Sequence, residues 1–359
     1  MKKITFIFIT CSFLLAGCWD ERLYKEVTIV PLIGVEGEPG KLTGYYTFIA
    51  VSNGSISYST VEGSGISFRE SRLNANQKTS ETLDVSQLEV ILLSTETVKS
   101  NVIETLDVAF RTPRNRLSSR FVVVEGEMAP YMEKTEKIPI ELPDYYNKLL
   151  EAAIKFSIIP DVDLQKASVI LFDDAIDLAL PFVKMSEKTG TPEVTGVALF
   201  SDKVFTGQKL DKAESTIVQI LQKKPGSHAA LTYMWEKEGK SYPITVESTS
   251  FKRKWDIQDS KIDATYKMKL SVDEFSYNHL DEDKTRKELE KFLSKELTTD
   301  FNKVIKKMQD AKSDVVGFGR TVRAFHPHLW NKGKWRDTFS KLDINVKVEA
   351  EITRTGIRN

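Results

Sequence analysis

Between Lys284 and Gln309 the apolar residues Leu289, Phe292, Leu293, Leu297, Phe301, Val304, Ile305 and Met308 recur three or four positions apart. Lysine, glutamate and aspartate fill the positions between them. That spacing predicts one long amphipathic helix over 284–309, with a single stripe buried and its other faces wet. Asp281-Glu282-Asp283 places negative charge at its start, as the helix dipole favours. A stripe this long needs an apolar partner surface, and the flanking sequence supplies one. Three long β-type runs precede it, near 228–237, 242–254 and 262–275, the first two joined by the turn Lys237-Glu238-Gly239-Lys240. Ile344 to Ile352 then alternates apolar with polar residues, a half-exposed final strand. Antiparallel strands, a long helix and a last strand make the C-terminal half α+β.

The upstream half reads differently. Val27–Val35 and Leu42–Val51 form a hairpin around the turn-forming stretch 36–41, with Pro31 placing the first strand at an edge or a bulge. Ser52–Gly65, rich in serine and glycine, reads as a loop, and 66–79 as a helix. Leu88–Leu93 is a buried-type strand, 95–110 a helix closed by Thr112-Pro113, and 121–124 another strand. Helices follow over 144–156 and 164–180, the second closed by Pro181, with a loop over 134–143. Ser186–Pro192 (SEKTGTP) is the best boundary. Beyond it come a tight hairpin, 194–200 with 203–207, and a helix near 210–222. The expected fold is therefore mixed α/β and α+β, with several domains. They are a leader over 1–17, an N-terminal α/β region over 18–190 in two subdomains, and a C-terminal α+β domain over 191–359.

The leader is where composition becomes informative. The chain has 359 residues and only two cysteines, Cys11 and Cys18, so the rest offers no internal disulfide, thiolate metal site or cysteine nucleophile. Met1-Lys2-Lys3, the apolar run Ile4–Leu15 and Ala16-Gly17 before Cys18 make a secretory signal, too short to span a bilayer. Leu15-Ala16-Gly17-Cys18 looks like a bacterial lipobox. In proteins with that pattern the cysteine thiol receives diacylglycerol, the peptide is cut before it, and the new amine is a site for a further acyl chain. Cys18 is thus the expected lipid attachment and Cys11 a passive residue lost with the leader. Two acyl chains hold a protein firmly where one does not. Removing Lys2 and Lys3 leaves 49 basic against 51 acidic residues, a net of −2. A chain so near neutrality has no polybasic hold on a membrane and no global field for nucleic acid.

Candidate chemistry elsewhere is sparse. His326-Pro327-His328 is the one histidine pair at ligand-like proximity, without the further ligands zinc requires; loop histidines are the better reading. Gly63-Ser64-Gly65 and Gly317-Phe318-Gly319 lack the pattern of a phosphate cradle, and the second reads as a turn re-entering the sheet. Asp173, Asp174 and Asp177 cluster on a predicted helix, where carboxylates are usually solvated. Arg111, Arg114, Arg116 and Arg120 form the one local basic cluster, able to meet lipid phosphates or an acidic partner but more simply ordinary surface. Phe251–Trp255 (FKRKW) resembles an aromatic-basic patch too small for nucleic acid. No catalytic set and no metal site emerge, and no cofactor is expected beyond the covalent lipid on Cys18.

Read in order, these pieces resemble the Ger(x)C family, the C subunits of spore germinant receptors. The likeness starts with Leu15-Ala16-Gly17-Cys18-Trp19-Asp20 and Arg22. It continues through Leu32-Ile33-Gly34-Val35, Leu106-Asp107 with Arg111, Val124-Glu125-Gly126 with Ala129, and Gly196-Val197-Ala198-Leu199-Phe200 with Lys203 and Gly207. Asp314 with Gly317 and Gly319, Trp330, Trp335 and Arg354-Thr355-Gly356 complete it. Leu23-Tyr24 and Gln87 depart from the family's common residues. The resemblance implies three mixed α/β domains on a non-enzymatic lipoprotein at the outer face of the inner spore membrane. It also implies two integral-membrane partners, one transporter-like and one channel-like. An alternative is a solute-binding lipoprotein feeding a transporter, which the long antiparallel strands of the second half argue against. An extracytoplasmic hydrolase would require a nucleophile–base set.

Overall fold

The computed structural model describes residues 26–52, 54–111, 115–259, 261–277 and 279–355. The leader, Cys11 and Cys18 lie outside them. In chain order the elements begin with β1 (Val27–Ile29), β2 (Leu32–Glu38), β3 (Lys41–Ser52), β4 (Ser55–Gly65), α1 (Phe68–Asn76), β5 (Thr82–Asp84), β6 (Val90–Ser94), α2 (Val102–Arg111) and β7 (Arg120–Val124). Next come α3 (Ala129–Met132), α4 (Leu142–Lys155), α5 (Leu164–Leu171), β8 (Ala179–Met185), β9 (Pro192–Ser201), β10 (Val204–Asp211) and α6 (Lys212–Leu221). The remainder is β11 (Ala230–Lys237), β12 (Lys240–Gln258), β13 (Lys261–Phe275), α7 (Asp283–Asp310), α8 (Phe318–Phe325), α9 (Trp335–Phe339) and β14 (Asp343–Arg354).

Eight strands form one mixed sheet in the order β10-β9-β8-β7-β6-β2-β3-β4. β2, β6, β7 and β8 run parallel, and antiparallel hairpins extend both flanks. Every residue of β6 is buried, because helices cover both faces; its unbroken run Val-Ile-Leu-Leu is the signature of such a strand. On one face α1, α2 and α5 pack over Ile33, Ile91, Phe121 and Val123. On the other, α3, α4 and α6 pack over Leu32, Leu92 and Val122, and this core continues into Tyr266, Leu293 and Phe301 of the C-terminal region. The molecule is thus the mixed α/β and α+β fold that the sequence predicts.

Three local expectations are corrected. Most of the stretch read as a loop over Ser52–Gly65 is β4 (Ser55–Gly65), an edge strand paired along β3. Its serines face water, which suits an edge, and its glycines admit a helix. A Cβ at Gly63 would lie 2.2 Å from the Ser71 carbonyl oxygen of α1. Pro31 marks neither an edge nor a bulge of β2, which sits inside the sheet. It is the point where the chain passes from the two-stranded β1–β5 pair into the main sheet, its carbonyl accepting from Glu89 and Val90 N at 2.8 and 3.2 Å. The helix predicted over 164–180 stops at Leu171, and Pro181 lies within β8. Pairing of β8 with β7 begins only at Phe182, so the missing N–H interrupts no parallel ladder there. Residues 186–191 form the turn of the β8–β9 hairpin.

The second sheet has the order β11-β12-β13-β14. Glu238 and Gly239, both at positive φ, make the first hairpin turn. β13 and β14 are parallel, linked by α7 across the sheet. The predicted stripe is buried: Leu289, Leu293, Leu297, Phe301, Val304, Ile305 and Met308 face Tyr266, Met268, Val346 and Val348. A neighbouring stripe expected to be wet is occupied as well. Glu290, Ser294, Thr298 and Asn302 accept from the backbone N–H groups of Ile352, Ala350, Val348 and Val346 at 2.8 to 2.9 Å. Four helix residues rise about 6.0 Å and two strand residues about 6.6 Å, so each step of four on α7 matches a step of two on β14. This ladder closes an edge that would otherwise present free donors. Replacing Asn302 by Leu removes the acceptor for Val346 N and the donor to its carbonyl at 2.7 Å. The expected cost is about 2 kcal/mol, read as a lower urea midpoint at unchanged slope.

Candidate functional site

The densest polar site joins the two sheets. It is assembled from the loop after α5 (Asp173–Asp177), the β9–β10 turn, the segment between α7 and α8, and α9. Its centre is Asp314, fully buried. Asp314 Oδ1 accepts from Gly317 N at 2.8 Å and Phe318 N at 3.1 Å, and Oδ2 from Gly319 N at 2.8 Å and Trp335 Nε1 at 2.9 Å. One carboxyl group therefore caps the start of α8 and fixes the Trp335 indole. Gly317 supplies the left-handed φ of 82° at the cap. Gly319 is required by proximity, since a Cβ there would lie 2.4 Å from Trp335 Nε1 and 2.7 Å from the Ala175 carbonyl oxygen.

Asp177, 5% exposed, bonds reciprocally with Asp314. Its Oδ2 accepts from Asp314 N at 2.9 Å, and its own N donates to the Asp314 carbonyl at 3.0 Å. Oδ1 accepts from Asp202 N at 3.2 Å and from Arg336 Nε at 2.7 Å. Further ties surround the pair. Asp173 holds Arg320 at 2.8 Å and Arg323 at 2.7 Å, and Ser201 and Ser313 donate to the carbonyls of Lys312 and Phe200 at 2.8 and 2.5 Å. Below Trp335 the aromatic rings continue through Phe339 and Phe318 to Trp255. Arg253 stacks on Trp255 and donates to the Leu221 carbonyl at the end of α6 at 2.7 Å.

Burial pushes the Asp314 carboxyl up to about 6, against the hydrogen bonds from Gly319 and Trp335. Burial also raises Asp177, with the Arg336 guanidinium opposing. At Asp173 burial acts upward, but Arg323, the Ala175 amide and Arg320 outweigh it and hold the carboxyl below the usual range. Each carboxyl oxygen at the centre is occupied by donors and by neither a nucleophile nor a histidine. The chemistry of the arrangement is mechanical: it clamps four chain segments together.

The residues singled out in the sequence fall as follows. Asp173 and Asp177 lie in a loop and are paired or buried, because α5 ends before them and the loop turns inward. Gly317-Phe318-Gly319 starts a helix instead of re-entering a sheet, since Asp314 supplies the cap. Arg111, Arg116 and Arg120 pair with Asp107, Glu89 and Glu151 at 2.6, 3.2 and 3.9 Å, which neutralises these three locally; Arg114 lies outside the described residues. In Phe251–Trp255 alternate residues point inward, and Trp255 Nε1 donates to Tyr266 Oη at 3.2 Å. His326 and His328 have ring centroids 6.2 Å apart after α8, and no metal-binding group of three ligands occurs among the described residues. The role of Asp314 escaped sequence reasoning, although an Asp three residues before a glycine-led helix start is a capping signal. The Asp177–Arg336 pair, far apart in sequence, has no local signal.

Two outcomes follow for stability. Replacing Arg336 by Met strands the buried Asp177 and is expected to cost about 3–5 kcal/mol in urea unfolding. Folded Asp314 titrates near 6 instead of the ordinary 3.8, so its contribution is complete below about pH 3.8 and is lost as pH rises through about 6. Between pH 4 and pH 7 wild type should lose about 2.4 kcal/mol more than Asp314→Asn, measured as the difference in unfolding free energy at the two pH values.

Comparison with known proteins bears on this geometry. Residues 20–185 match the family model described as a spore germination protein N-terminal domain, and 195–356 match the one described as spore germination B3/GerAC-like, C-terminal. The clamp takes residues from both. The chain is 24% identical to spore germination protein GerQC of Bacillus cereus, over 98% of each chain. It is 25% identical to spore germination protein KC of Bacillus subtilis (strain 168), over 96% of this chain and 93% of the other. The crystal structure of the GerBC protein shares the fold, with a TM-score of 0.60 at 21% identity, over 90% of this chain and 97% of that one. The chain belongs to the Ger(x)C family of spore germination proteins.

Proposed function

We propose that the protein is a non-enzymatic, lipid-anchored subunit of a spore germinant receptor. On this reading diacylglycerol on Cys18 holds it at the outer face of the inner spore membrane. There it assembles with two integral-membrane subunits, one transporter-like and one channel-like, and relays germinant binding between them. The observation that carries the reading is the match of both halves, in order, to spore germination domains. The clamp supports it, because a buried polar site spent wholly on joining segments suits a scaffold better than a reaction centre. Among the described residues no helix is long and apolar enough to cross a membrane.

The anchor is tested by feeding labelled fatty acid to cells expressing wild type or Cys18→Ala. Label on the wild type alone, with the variant released from the membrane fraction, is expected; equal labelling sinks the anchor. The assembly is tested by affinity capture of the tagged chain from detergent-solubilised spore membranes. Both polytopic subunits should be recovered by mass spectrometry, and their absence from a capture that retains the tagged chain refutes the partnership.

A further inference from the structure

A groove of about 680 Å³ opens beside the clamp, a size typical of small-molecule sites. Its walls come from both family-matched regions. Val162, Val169 and Ile176 of the first face Gln219, Gln222 and Lys224 of the second. Val169 is 61% exposed although apolar. Gln219 is the opposite case, a polar side chain only 2% exposed whose carboxamide has no partner among the described residues. Its carboxamide atoms keep contact with the groove, where a bound molecule can supply a matching donor and acceptor.

The charges around the groove narrow the class of ligand. Asp177 is engaged by Arg336 at 2.7 Å, and Arg320 by Asp173 at 2.8 Å. Lys166 is held by Asp161 at 2.5 Å. Lys224, exposed at the mouth, has no ion-pair partner among the described residues. The free recognition elements are thus an apolar wall, a carboxamide that opens onto the groove and one cation.

We infer that this groove binds a small amphipathic carboxylate, its apolar body against Val162, Val169 and Ile176, an amide on Gln219 and its carboxylate at Lys224. The inference stands apart from the membrane assignment and is tested without it. N-acetyl-L-leucine carries all three features and serves as the probe, with N-acetyl-L-leucinamide as its uncharged counterpart. Calorimetric titration of the detergent-solubilised full chain should show saturable binding of the acid in the millimolar range. Lys224→Glu, on an exposed residue that leaves folding intact, should weaken the acid by about tenfold, equivalent to about 1.4 kcal/mol, while leaving the leucinamide unchanged. Gln219→Leu should weaken both compounds. Absence of saturable binding to the wild type, or affinities for the acid that neither substitution changes, overturns the proposal.

Discussion

The joint between the two sheets depends on a carboxyl group that has no water to fall back on. Taking the Asp314 side chain out of solvent is unfavourable by several kcal/mol unless its oxygens are fully matched. Here the match comes from three backbone amides and one indole. The four donors are in place together only once α8 has started and α9 has docked. Asp177 adds the same condition for the other side of the joint, since it needs Asp314 N, Asp202 N and Arg336 at once. The cluster thus favours a state in which all segments are seated over one in which some are, a cooperative property that apolar burial alone, being non-directional, does not impart.

The fold was legible wherever a local pattern and its burial agreed. β6 and β7 announce themselves as continuous apolar runs, and α7 through its stripe; each is buried as its pattern requires. Legibility failed where tertiary packing reversed a local preference. Serines and glycines normally mean a loop, but α1 lies so close to β4 that small residues are what the strand needs. Pro181 normally closes a helix, yet it is tolerated where β8 has no parallel neighbour. The clamp shows both limits. Asp314, Gly317, Gly319 and Trp335 were singled out by resemblance, but their roles depend on approach distances that sequence spacing does not encode. Cys18 is the reverse: its reading rests on the sequence alone.

Electrical neutrality, a property of the whole composition, reappears residue by residue. The arginines at 111, 116 and 120 each lie beside an acid, and α6 and α7 meet through Lys303 and Lys307 on Glu214. Fields built from such pairs fade within a Debye length of about 10 Å. Any partner would then be selected at contact, by shape and hydrogen bonding, more than by steering from a distance.

The hydrogen bonds between α7 and β14 have a mechanical consequence. Teeth spaced by four residues on the helix mesh with slots spaced by two on the strand, like a rack and pinion whose pitches agree. Displacing the helix by one residue, about 1.5 Å, disengages all four teeth together, and no nearby position lets them re-engage. Slippage between helix and sheet is therefore blocked, and a push on either end of α7 moves the whole C-terminal sheet with it. Since the clamp sits just beyond the helix's far end, such a push would reach Asp314 as displacement and would not be absorbed along the way.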